Sequence, residues 1–188
     1  MSCQLDFCQE GEQTRGARGP VPEGSVVMLR LEVVPPHAER QAGDNPFVSV
    51  ARTGLRQICC RLTVAHGTYR GVRFRQNITL PVQAQQIALT DGQRASCRIG
   101  GAMLKAMCLA AGRPPRVNDV QELTGLCFPA RVKVSPRPRL VEGRPFWNNE
   151  IALVVTPDKA EHARVAGGGE ILAQPGPKVP DEQSDLPF

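Results

Sequence analysis

The chain has 188 residues, a net charge of +5 and only 4% aromatic residues, with a pI near 9.0. That length suits one domain with tails and is enough to bury a real core; no apolar run is long enough to span a membrane. The charge is uneven: residues 25–157 hold 18 Lys/Arg against 8 Asp/Glu, residues 1–24 hold 2 against 4, and residues 158–188 hold 3 against 6. A basic body with acidic ends points to a polyanionic partner for the body and a separate role for the tail.

The seven cysteines, with no secretory-type apolar segment at the N-terminus, point to reduced thiols in a cytoplasmic protein, mostly small core residues. Cys3 and Cys8 would make half a metal site, but no second pair accompanies them and the three histidines are scattered. No metal or other cofactor is therefore expected. Enzymatic chemistry is not expected either. The chain has no Gly-rich phosphate loop ending in Lys-Ser/Thr and no cluster of carboxylates for catalytic metal; Asp119 and Glu122 suit a helix start.

Residues 1–24, rich in Gly, Glu and Gln, predict a flexible arm. Val26 to Val34 alternates as a strand that Pro35-Pro36 ends. Residues 35–56 form a long connection holding Arg52 and Arg56, with Phe47 to Ala51 able to extend into a strand. From Gln57 to Leu80 the pattern is a β-hairpin. Ile58, Cys60, Leu62 and Val64 share one face with Val72, Phe74, Gln76, Ile78 and Leu80. Cys59, Arg61, Thr63, Arg73, Arg75, Asn77 and Thr79 take the other. Gly67 and Gly71 bracket the turn, and Tyr69 at its tip is expected to stack on a ligand or line a rim.

Beyond Pro81 the period becomes helical, with Ile99, Met103, Met107 and Ala110 on one face, Ser96 as the N-cap and Gly112 with Pro114-Pro115 as the stop. Asn118 to Leu123 predicts one more helical turn. Leu126 to Val134 is a strand with Arg131 and Lys133 facing out as further candidate contacts for a polyanion. A loop to Pro145 carries Arg137, Arg139 and Arg144, and the last strand runs from Phe146 to Val155. Trp147 and Phe146 open that strand; for Trp147, core packing and base stacking weigh equally.

Five strands with one helix between the third and fourth is the order of an OB-fold, a five-stranded, partly open barrel. The expected class is therefore all-β with one main helix, an OB-fold barrel over residues 25–157 with disordered termini. Such barrels bind nucleic acid on strands two and three and on the loops joining strands one–two and four–five. Arg61, Arg73 and Arg75 fall on those strands, Arg52 and Arg56 in the first loop, and Arg137, Arg139 and Arg144 in the second. A solvated cationic face that blunts aggregation is the plainer explanation of the hairpin alone; topology and charge together favour a nucleic-acid interface.

From Asp158 the composition shifts to Gly, Pro and acid, predicting a flexible linker and tip over residues 158–188. The chain ends Asp181-Glu182-Gln183-Ser184-Asp185-Leu186-Pro187-Phe188. This ending resembles the acidic tip of bacterial-type single-stranded DNA-binding proteins. The acids here are fewer and are interrupted by Gln183-Ser184. The resemblance implies that Asp181, Glu182, Asp185, Leu186, Pro187 and Phe188 recruit replication, recombination and repair enzymes. Gly67-Thr68-Tyr69-Arg70-Gly71, Leu123-Thr124-Gly125 and the segment from Gly143 through Asn149-Glu150-Ile151 resemble an OB-type single-stranded DNA-binding family of phages and mobile elements. The expectation is a non-enzymatic single-stranded DNA-binding protein, with a homo-oligomer left open. An RNA-binding OB module and a structural or regulatory protein with a basic surface are the alternatives.

Overall fold

The structure is a computed structural model that describes residues 20–36, 41–42, 45–81, 89–135, 139–141, 144–146 and 148–173. In chain order its strands are β1 (Val26–Val34), β2 (Gln41–Ala42), β3 (Asn45–Val50), β4 (Arg56–Val64) and β5 (Arg73–Thr79). Helix α1 (Asp91–Ala110) and a 3-10 turn (Val120–Leu123) follow. Then come β6 (Cys127–Val134), β7 (Arg139–Val141), β8 (Arg144–Phe146), β9 (Asn149–Val154) and helix α2 (Ala160–Ala166).

Among the described residues one antiparallel sheet runs β2-β3-β4-β1-β6-β9, and β5 pairs with β4. β4 is its hub. Along one edge it meets β3 (Val48 opposite Ile58) and then β1 (Val34 opposite Cys59 through Leu29 opposite Val64). Along the other it meets β5, from Gln57 opposite Thr79 to Thr63 opposite Arg73. The alternation is the expected one. Ile58, Cys60, Leu62 and Val64 are buried with Phe74 and Ile78, and with Leu29 and Leu31 of β1.

The structure is mostly β, as expected, but it carries two helices where one main helix was expected, and among the described residues the sheet is open and not a closed five-stranded barrel. Among the described residues no backbone ladder joins β5 to β9. Side chains bridge that seam instead: the Ile151 amide donates to Gln76 Oε1 at 2.8 Å, and Asn148 Nδ2 donates to the Arg75 carbonyl at 3.4 Å. Asn149 is buried and uses its amide as a strand neighbour, accepting from the Val21 amide at 2.9 Å and donating to the Val21 carbonyl at 2.8 Å. Val21 is thus core, inside the segment expected to be a loose arm.

The N-cap of helix α1 lies six residues before the expected one. Thr90 accepts from the Gln93 amide, and Gln93 Oε1 accepts from the Thr90 amide at 2.8 Å, a reciprocal capping box. Ser96 lies within the helix, bonded back to the Gly92 carbonyl. The buried face is Cys97, Gly100, Leu104, Met107 and Cys108, whereas Ile99, expected inside, is 64% exposed. Gly100 marks the tightest approach: a Cβ there would lie 1.9 Å from the Thr79 carbonyl oxygen at the end of β5.

The segment after Asp158 departs most from expectation. Ala160–Ala166 is helical, and Val165 packs with Val26 and Val155, flanked by Met28 and Ile171. Beyond it, Val26 and Ile171 exchange two backbone hydrogen bonds and Ala173 donates to Ser25 Oγ. The glycines read as linker end the helix: Gly167, Gly168 and Gly169 amides cap the carbonyls of Ala163, Val165 and Arg164, and Gly168 takes φ +95°.

The five described cysteines are free thiols, and Cys60, Cys97 and Cys108 are buried. Burial, with a smaller contribution from Cys59, pushes the Cys60 thiol up to about 12, so it stays protonated and unreactive at neutral pH.

Gly100→Ala is expected to cost roughly 1–3 kcal/mol through overpacking against Thr79, although alanine is the better helix former by about 1 kcal/mol. Gly92→Ala meets open space and is expected to be neutral or mildly stabilising. Urea denaturation of the two variants checks the pair; a stabilised Gly100→Ala would mean that α1 is not seated on β5.

Candidate nucleic-acid interface

Because β4 buries its even-numbered side chains, Cys59, Arg61 and Thr63 face away from the core, and register fixes what stands beside them. Glu32, Arg61 and Arg75 form one row across β1, β4 and β5; Arg30, Thr63 and Arg73 form the next. Four guanidinium groups and one carboxylate therefore share this face. Arg61 reaches Glu32 at 3.1 Å. Arg30, Arg73 and Arg75 are exposed and pair with no acid among the described residues. Arg73 and Arg75 stand together on β5 and Arg30 lies two strands away on β1; with Glu32 engaged by Arg61, the face keeps a net positive charge that raises the local potential and favours a polyanion over a single small anion.

The other expected site residues are placed differently. Arg131 lies on the outward face of β6, but α2 covers it there. It pairs with Glu161 of that helix, and its Nε is buried without a partner. Lys133 pairs with Glu150 across β6 and β9 at 3.3 Å. Arg56 has the register of the inward residues and is half-buried, while Arg52 is exposed in the turn after β3. Tyr69 is half-buried and packs against the core, as does Phe47, which suits a rim residue better than a ring standing free to stack. Arg139 and Arg144 lie on the β7–β8 hairpin, opposite Phe146 and Val141. That hairpin leads directly into Asn148, whose side chain touches the Arg75 backbone. Arg137, Trp147 and the acidic tip from Asp181 to Phe188 lie outside the described residues.

One of the motifs that carried the resemblance, Leu123-Thr124-Gly125, does structural work. Thr124 Oγ1 accepts from the Val33 amide at 3.1 Å, and Gly125, at φ +88°, donates to the Leu31 carbonyl. Together they continue the sheet along β1 past the end of β6. Arg30 is the residue that sequence reasoning missed. Its outward phase was legible in β1, but its place beside Thr63 and Arg73 depends on the β1–β4 register, which no local pattern encodes.

Among the described residues no group of three or more His, Cys, Asp or Glu could hold a metal ion, and no helix is long and apolar enough to cross a membrane. Comparison with protein-family models, curated proteins and solved structures finds no match to this chain.

Arg73→Ala combined with Arg75→Ala is expected to leave the thermal midpoint nearly unchanged, within about 0.5 kcal/mol, because neither side chain supports packing. Arg131→Ala removes an ion pair at the seat of α2 and is expected to cost up to about 1 kcal/mol. Scanning calorimetry of both variants tests the assignment; the reverse order would make Arg73 and Arg75 structural and Arg131 the free cation.

Proposed function

We propose that this chain binds single-stranded DNA, without catalysis and without strong sequence preference, through the outward face of β1, β4 and β5. The observation that carries the proposal is the pair of adjacent rows in which Arg30, Arg73 and Arg75 stand exposed without acidic partners. The part of the face that carries Arg30, Arg73 and Arg75 is built of strands, the described helix on the outward side, α2, lies instead over Val26, Met28 and Arg131, and the arginines suit contact with a flexible backbone.

The reading extends to fold type. The principal strands β1, β4, β5, β6 and β9, with α1 between β5 and β6, follow the order of an OB-type domain. The side-chain bridges from Gln76 and Asn148 across the β5–β9 seam suit a partly open barrel. On this reading β4 and β5 take the place of the second and third strands, where such domains bind nucleic acid. The resemblance of the last eight residues to a partner-recruiting tip supports a role in replication, recombination or repair, with Phe188 as the apolar anchor and Asp181, Glu182 and Asp185 as the charges a basic partner would read.

Labelled oligo-dT, duplex DNA and RNA of equal length, titrated by fluorescence anisotropy across a salt series, provide the test. Oligo-dT is expected to bind tightest. Three backbone contacts at about −0.7 each give a log–log salt slope of roughly −2. A flat salt response or a preference for duplex would sink the proposal, and tighter binding of RNA would move it to the RNA-binding alternative.

A further inference from the structure

The turn that joins β4 to β5 is already occupied by an anion, and that anion belongs to the chain itself. The Thr68 amide donates to both carboxylate oxygens of Glu170 at 3.0 Å, and the Thr68 hydroxyl donates to Oε1 at 2.5 Å. Gly67 takes φ +85°, and its α-carbon lies so close beneath the carboxylate that a Cβ would sit 2.2 Å from Glu170 Oε2. A left-handed glycine followed by a hydroxyl residue, with amide and hydroxyl converging on one oxyanion, forms a small anion-binding concavity. An oxygen of a phosphodiester has the charge and acceptor geometry to take the same donors.

The hydrogen bonds from Thr68, with no ion pair beside them, hold the occupant in place. Glu170 forms no ion pair among the described residues, although Arg70 of the same turn is exposed and also lacks an acidic partner there. The carboxylate is half-buried, not sealed. The segment that carries it is held independently of these bonds, by Val165 in its apolar seat, by the Val26–Ile171 backbone pair and by Ala173 on Ser25. Glu170 can therefore leave the turn by side-chain rotation while α2 stays docked. The turn lies at the end of the hairpin whose outward face carries Arg61, Arg73 and Arg75, so a strand running along that face reaches it.

We infer that the Gly67–Thr68 turn is a phosphate-binding site for the single strand and that Glu170 is its internal occupant, displaced when nucleic acid binds. The inference rests on the single-strand reading above. Displacement removes one negative charge from the end of the cationic face and leaves Thr68 and Arg70 to a backbone phosphate. The carboxylate then acts as a competitor that weakens binding to any strand too short to reach the turn and past it.

The test is oligo-dT affinity across a salt series for the full chain and for Glu170→Ala, Glu170→Gln, and Glu170→Ala combined with Thr68→Val. Glu170→Ala should tighten binding roughly three- to tenfold at low salt, the range set by one charge-assisted contact at a surface. Its log–log slope should steepen by about 0.7. Glu170→Gln should move the same way by less, and Thr68→Val in the alanine background should remove at least half of the gain. A carboxylate that only fastens the tail gives another pattern: both Glu170 variants lower the thermal midpoint and leave affinity and slope unchanged or weaker, which overturns the inference. Should Glu170→Ala lose its fold, Glu170→Gln decides in its place. If the unaltered chain binds oligo-dT but neither variant tightens, the occupied turn is refuted and the single-strand reading stands. If the unaltered chain does not bind at any salt, both fall.

Discussion

The burial of one face of β4 is the constraint on which the rest of this structure depends. Ile58, Cys60, Leu62 and Val64 must lie inside, and strand geometry then sends Cys59, Arg61 and Thr63 out. A slip of one residue would bury arginine and expose leucine, so the register is held by the full apolar energy of the hairpin. Both partners of β4 inherit that phase. β5 places Phe74 and Ile78 inside and Arg73 and Arg75 outside, and β1 places Leu29 and Leu31 inside and Arg30 and Glu32 outside. The cationic face is thus a by-product of core packing, and its spacing is as rigid as the core itself.

The outward side of the sheet is divided between two uses. At the β6 end α2 and the chain beyond it lie over Val26, Met28 and Arg131, with His162 Nε2 2.9 Å from the last carbonyl of α1, that of Ala110. At the β5 end nothing described covers Arg73 and Arg75. The same C-terminal segment reaches the hairpin turn through Glu170. One short stretch of chain therefore both limits the open face and contacts its edge, which gives residues 160–173 a part in the site that their Ala- and Gly-rich composition does not advertise.

Where period and burial coincide, the sequence was readable. The hairpin, β1 and β6 followed directly from two-residue alternation, and the helical turn at Val120–Leu123 agreed with Asp119 and Glu122 as helix-start charges. The errors have separate physical causes. The helix start was misplaced because Ile99 and Met103 suggested a face, while the Thr90–Gln93 capping box, written in the chain as Thr-Asp-Gly-Gln, was the stronger local signal. Gly100, a poor helix former by propensity, sits mid-helix because only a hydrogen side chain fits over Thr79. The helix at Ala160–Ala166 was hidden because its stability comes from Val165 and Ile171 docking on Val26, a tertiary contact that composition cannot report. The open seam between β5 and β9 was equally invisible, since it depends on Gln76 and Asn148 reaching across. Of the expected cations, Arg61, Arg73 and Arg75 could be grouped from alternation alone. Arg131 and Lys133 had the right phase, but their acidic partners come from distant parts of the chain.

The central claim is that the outward face of β1, β4 and β5 is where nucleic acid lies. Amide chemical-shift mapping during oligo-dT titration tests it most directly, because it locates contact without altering any residue. The account predicts the largest changes at Arg30, Arg61, Thr63, Arg73 and Arg75, with the exposed side of α1 around Ile99 and Lys105 silent. Changes centred on α1, or confined to β6 and α2 around Arg131, would contradict it.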